Sequence, residues 1–164
     1  MYLIDGNNVI GLRARGYESW YHDKPAARRR LLEELAELAS RKRLRLAVVF
    51  DGAPDAHFPD GSSFRGVKVF YARPGSDADA RIVDLVERER NRKGLVVVTS
   101  DAALAARVRV CGVRVIRAGE FRRLLDEAHT DESNATNLAV DNEEMDAWLR
   151  YFGVAAEDDL AEKD

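Results

Sequence analysis

Short apolar runs and longer helical periods alternate along the chain, and that alternation predicts most of its elements. YLI at 2–4, LAVVF at 46–50, VKVFY at 67–71, LVVVT at 95–99 and VRVI at 113–116 are rich in Val, Ile and aromatic residues. They are mostly apolar on both faces, as strands are when a parallel sheet is covered on both sides. Between them, residues 25–43 place Leu31, Leu35 and Leu38 at helical spacing, with Pro25 suited to a first turn. Residues 77–92 bring Ile82, Leu85 and Val86 to one stripe, and 101–110 and 119–128 read as shorter helices. This order predicts an α/β fold, a three-layer α/β/α sandwich around a mainly parallel central sheet.

Two connections are long, which in a compact domain points to function or mobility. Residues 11–24 contain Arg13, Arg15, Tyr17, Trp20, Tyr21 and His22, and residues 52–66 contain His57, Phe58, Phe64 and Arg65. Past residue 128 the pattern weakens. DESNATN at 131–137 reads as a linker, and 143–152 as an amphipathic helix carrying Trp148, Leu149 and Phe152, closed by Gly153. The expected division is a folded domain over 1–128 and an acidic extension over 129–164.

Composition narrows the class. The chain has 164 residues and is 46% hydrophobic, enough for one globular core. No apolar run approaches the ~20 residues of a membrane span, so no membrane partner is expected. The chain opens on a strand with no basic stretch and apolar core before it, which argues against a signal peptide. Cys111 is the only cysteine, which excludes an internal disulfide and a CxxC metal site and fits a reducing cytoplasm. The net charge of −3 hides an asymmetry. Residues 1–125 hold 24 basic against 16 acidic side chains, a balance of +8, and residues 126–164 hold 2 against 13, a balance of −11. A basic body suits nucleic acid. The acidic segment reads as a solvated tail, a mimic competing for the basic face, or a docking segment for a protein partner.

Four acids stand at strand ends. Asp5 follows the first strand, Asp51 follows LAVVF, Asp79 opens the helix after VKVFY, and Asp101 lies two residues after LVVVT. Parallel strands bring all four to one edge, where open α/β sheets bind ligands. Clustered carboxylates repel unless a cation compensates, and Mg²⁺ or Mn²⁺ is the hard cation that oxygen ligands suit. Asn8 is placed to orient a carboxylate or meet a phosphate oxygen, and Thr99 and Ser100 to do so by hydroxyl. The chemistry that fits is metal-assisted phosphodiester hydrolysis, with Asp5, Asp79, Asp101 and Asn8 as catalytic candidates and Asp5, Asp51, Asp79 and Asp101 as metal ligands.

Each acid also has an ordinary structural reading. Asp5-Gly6 and Asp51-Gly52 are common turn pairs, Ser76-x-x-Asp79 matches a capping box, and Ser100 or Asp101 suits an N-cap. Four acids at successive strand ends favour the metal site over four separate coincidences. Asp55 and Asp77 lie close by in sequence, and Asp84 about a turn deeper in its helix. Arginines beside aromatics, as in Arg13, Arg15 and Trp20, suit phosphates and unpaired bases, and Arg65 and Ser100 join them as RNA-binding candidates. Arg28 to Arg30 and Arg41 to Arg43 read as a solvated helix face. Nothing pairs a histidine with a nucleophile, so no Ser/His/Asp triad or zinc site is expected.

YLIDGNNVI, LAVVFDG, GSDADARIVDLV and LVVVTSDAAL together resemble the YacP-like group of NYN domains within the PIN-like nuclease superfamily, over about residues 1–125. The resemblance implies a PIN-like fold and a Mg²⁺- or Mn²⁺-dependent endoribonuclease with its acidic site on Asp5, Asp51, Asp79 and Asp101, and Asn8 beside it. It also implies a cytoplasmic RNA substrate, with messenger RNA near the ribosome as one target. Two motifs depart from the group's usual form. Asn7 stands where it has a tyrosine, and Asp77-Ala78-Asp79 where it has Thr-Ala-Asp. Competing readings are a non-catalytic RNA-binding module, a toxin-like subunit controlled by a partner, and a phosphoacceptor receiver domain. The receiver needs a second strand between its first acids and a lysine where this chain has Arg117. A haloacid-type phosphatase needs Asp-x-Asp, which neither Asp5 nor Asp51 begins.

Overall fold

In the computed structural model, residues 1–10 and 24–130 are described, with side chains through 128. The strands are β1 (Tyr2–Asp5), β2 (Leu46–Phe50), β3 (Ser62–Phe64), β4 (Val67–Tyr71), β5 (Val96–Val98) and β6 (Arg114–Ile116). The helices are α1 (Gly6–Ile10), α2 (Lys24–Lys42), α3 (Ala78–Arg88), α4 (Ala102–Val110) and α5 (Ala118–Thr130), with a short 3-10 turn at Arg92–Gly94. The six strands form one sheet in the order β3-β4-β2-β1-β5-β6, parallel except for β3. The sandwich predicted from the apolar runs is therefore the observed one.

Alternation along each strand builds two cores. Tyr2 and Ile4 of β1, Leu46, Val48 and Phe50 of β2, and Val96 and Val98 of β5 pack with α1, α2 and α5. Leu3, Ala47, Val49 and Val97 face the other way, against α3 and α4. The strand period of two fixes this split, and it carries to the strand ends. Asp5 lies two residues beyond Leu3, and Asp51 two beyond Val49, so both acids fall on the α3 side.

The chain runs from β1 outward through β2 and β4, then returns to the far side of β1 for β5 and β6. The connection from β1 leads to the α2 layer and the one from β5 leads to α4, on opposite faces. Their carboxyl ends are thus the topological switch point, where a crevice opens in sheets of this kind.

Three local expectations change. The 52–66 connection contains β3, an antiparallel edge strand closed onto β4 by a turn at Arg65 and Gly66, whose φ values are 47° and 90°. Three residues are too few for a period to announce them. Gly6 is not a turn glycine: it begins α1, and a Cβ there would lie 2.6 Å from the Phe50 ring and 2.9 Å from Val48. Space, not backbone freedom, demands glycine. The helix after β4 is capped by Asp77, whose carboxylate accepts the Ala80 N–H at 2.8 Å, and not by a Ser76–Asp79 box. The predicted linker at 131–137 and helix at 143–152 lie outside the described residues. Among the described residues, no helix is long and apolar enough to cross a membrane.

Candidate active site

Asp5 ends β1 and is buried, with 5% of its surface exposed. Its Oδ2 accepts the Thr99 hydroxyl at 3.1 Å, and the carboxyl also accepts the Asn8 backbone N–H. These bonds favour the charged form, yet burial outweighs them and Asp79 and Asp51 add repulsion, raising its pKa from 3.8 to about 7.

The two amides after Asp5 knit neighbouring strand ends together. The Asn7 side-chain carbonyl accepts the Asp51 N–H at 3.2 Å, tying β1 to β2. The Asn8 carbonyl accepts the Ser100 N–H at 3.0 Å, tying β1 to β5 across the switch point. Thr99 is buried and works in both directions, donating to Asp5 and accepting the Asp101 N–H at 3.1 Å. Ser100 Oγ accepts the Ala118 N–H at 3.0 Å, which fixes the start of α5.

Asp51 Oδ1 accepts the Ala78 N–H at 2.7 Å, so the end of β2 holds the start of α3. One residue further on, Asp79 is brought into side-chain hydrogen-bonding contact with Asp101. Burial comes first among the causes that raise the Asp79 pKa, followed by the charges of Asp101 and Asp77, the bond to Asp101, and the charge of Asp51. Asp101 is also the N-cap of α4, its Oδ1 accepting from Ala103 at 2.9 Å and Leu104 at 3.1 Å.

The structure therefore brings Asp5, Asp51, Asp79, Asp101 and Asn8 to one edge. Among the described residues, no three acids converge closely enough to make a ready metal cage. What they form is a close Asp79–Asp101 pair with Asp5, Asp51 and Asp77 within electrostatic reach. That donor set fits a hard cation that keeps several waters and needs only one or two carboxylates directly. Burial first, and repulsion between the acids after it, raises the pKa values of Asp5 and Asp79, and such a cation would offset the repulsion.

Other candidates fall elsewhere. Arg65 sits at the amino end of β4, across the sheet from the acids, because β3 folds back antiparallel. Asp84 pairs with Arg88 at 3.1 Å and Arg73 at 3.5 Å, and Asp55 accepts the His57 N–H at 2.8 Å. Arg13, Arg15 and Trp20 lie outside the described residues.

Arg28 departs from the solvated-face reading of its run, which the exposed Arg29 and Arg30 keep. It is 9% exposed, lies 5.5 Å from the Phe50 ring centroid and 5.4 Å from that of Tyr71, and donates to the Asp51 and Ala53 carbonyls. It holds the 51–53 turn from beneath and so positions Asp51. The signal was spacing: residue 28 precedes Leu31, Leu32 and Leu35 on the buried face of α2.

A mainly parallel sheet between helical layers, with carboxylates around its switch point, is the α/β/α arrangement expected from the sequence. The chain belongs to the YacP-like NYN domain family, whose sequence profile matches residues 2–150. NYN domains are nuclease-type. The chain is similar in structure to a mutant of Rae1 (YacP) from Bacillus subtilis, at 23% identity and a TM-score of 0.66, covering 99% of this chain and 98% of that one. A second structure of Rae1 (YacP) from Bacillus subtilis gives 22% identity and a TM-score of 0.61, covering 99% and 91%. At these identities the likeness establishes the fold. No curated protein matches the chain significantly.

Proposed function

We propose that this protein is a metal-dependent endoribonuclease whose centre is the acidic edge between β1, β2, β5 and the start of α3. The observation that carries the reading is the position of Asp5: buried at the switch point, bonded to Thr99, and raised to about 7 beside Asp51 and Asp79. A buried acid that neighbours further acids is costly for stability and is characteristic of sites that use charge.

Asp5, Asp51, Asp79 and Asp101 are the residues to hold Mg²⁺ or Mn²⁺. When bound, the cation supplies a more acidic water and offsets charge on the phosphate under attack. The chain's own residues do the rest. Thr99 fixes the Asp5 carboxylate. Asn8 spends its carbonyl on Ser100, and its amide nitrogen has no protein partner among the described residues, leaving two N–H donors for a phosphate oxygen. Asp79, whose pKa is raised by burial and by the neighbouring acids, takes a proton from the attacking water or gives one to the leaving oxygen in this reading. Arg13, Arg15 and Trp20 complete the RNA contacts in this reading. The catalytic unit is residues 1–128, acting in the cytoplasm, with messenger RNA near the ribosome as a target and a protein partner for the acidic 129–164 segment.

The test is incubation of end-labelled single-stranded and structured RNAs with the full chain in Mg²⁺, Mn²⁺ or EDTA. Internal cuts that require metal and vanish in Asp5→Asn and Asp79→Asn are expected. Binding without cleavage in either metal would replace this reading with that of a non-catalytic RNA-binding module.

A further inference from the structure

Beside the acids, the same edge of the sheet carries a cavity of about 460 Å³. It lies between the 52–54 turn, the 72–76 loop, and the side chains of Asp60, Tyr71 and Arg81. Gly52 directly follows Asp51 and Ser76 directly precedes Asp77, and the Asp51–Ala78 hydrogen bond of 2.7 Å joins these two walls. The cavity is therefore built from the same turn and helix start that present the carboxylates.

One wall carries an ion pair between the mostly buried Arg81 and the exposed Asp60. Arg81 has only 10% of its side chain exposed, sits 5.3 Å from the Phe70 ring centroid, and donates to Asp60 at 3.2 Å. Its Nε is buried with no partner among the described residues. Asp60 is held in turn by the Tyr71 N–H at 3.0 Å. Arg73 stands at the rim, roughly half exposed. The volume falls within the roughly 300–1,000 Å³ of small-molecule sites, more than a lone phosphate needs. The wall offers a planar guanidinium and a carboxylate acceptor, and the rest of the lining includes peptide groups and small side chains. That chemistry suits a flat group with polar edges, and unstacked nucleobases are recognised on guanidinium planes in this way.

We infer that the cavity receives one unstacked base of the RNA strand, adjacent to the phosphate held at the acidic edge. The inference rests on the RNA-cleaving reading above, and it assigns Arg81 and Asp60 as positioning residues for the substrate strand.

The experiment measures cleavage of short single-stranded RNAs by the full chain in Mn²⁺, with one abasic unit moved along the strand. A base bound in the cavity makes the wild type lose about tenfold in kcat/KM at one abasic position beside the cut, a loss typical of removing one stacked base. Ala53→Trp, which fills the mouth from an exposed position, is expected to slow cleavage of intact RNA by a similar factor. It should also no longer distinguish the abasic strand. Arg81→Met, which keeps the stem and removes the planar cation, should do the same, and circular dichroism and thermal unfolding check that both variants fold. Cleavage by the wild type with no position-specific loss, or an undiminished loss in Ala53→Trp, overturns the cavity assignment and leaves the nuclease reading standing. A wild type that cuts no RNA overturns both.

Discussion

Asp5 places a titratable group in the core of the sheet edge, and its stability effect has a definite sign. The folded protein holds the Asp5 proton up to about pH 7, whereas the unfolded chain releases it near 3.8. Between those values the folded state binds the extra proton, so the contribution is fully present below 3.8 and is lost as pH rises through 7. In metal-free buffer, Asp5→Asn cannot ionise and should gain on the wild type by roughly 2–3 kcal/mol between about pH 5 and pH 8. Urea unfolding in EDTA at the two pH values measures it, and an equal difference at both would contradict the burial of an ionising Asp5. Gly6 provides a second test. A methyl there meets the Phe50 ring and Val48, neither of which is the far end of a flexible chain. Gly6→Ala should cost about 1–3 kcal/mol by overpacking and displace Asp5 with it. Unchanged thermal stability would mean that α1 does not pack as described.

At the scale of elements, the acids serve two masters. Asp101 caps α4 while touching Asp79, and the two roles separate by substitution. Asn caps a helix as well as Asp does, whereas Ala loses about 0.5–2 kcal/mol. Asp101→Asn should therefore keep wild-type stability and lose metal-dependent cleavage, while Asp101→Ala loses both. Full cleavage by Asp101→Asn would reduce Asp101 to a cap. The long helices were legible by their period, LAVVF as β2 because burial on both faces writes a continuous apolar run, and VKVFY as β4 because it alternates, with Lys68 exposed between buried Val67 and Val69. The four strand-end acids were legible too, since parallel order fixes which ends meet. Less legible were features set by tertiary contact. Asn7 and Asn8 bind strands remote in sequence. Arg28 is one of three consecutive arginines, and only the burial of Leu31, Leu32 and Leu35 on its face of α2 sets it apart. Arg65 was assigned by loop membership, and three residues of β3 carried it to the opposite edge.

For the whole molecule, one principle links these parts. The order in which strands are added reverses between β1 and β5, the strand period aims Asp5 and Asp51 at α3, and the start of α3 returns Asp79 toward Asp101. The fold thus gathers negative charge at one edge of the sheet. The most direct measurement of the central claim is single-turnover cleavage of one end-labelled RNA as Mn²⁺ is raised from zero, for the wild type and Asp79→Asn side by side. Internal cuts are expected in the wild type, absent in EDTA and rising to saturation with Mn²⁺. None are expected from Asp79→Asn over the same range. Equal cleavage by the two proteins, or cleavage indifferent to metal, would contradict the claim.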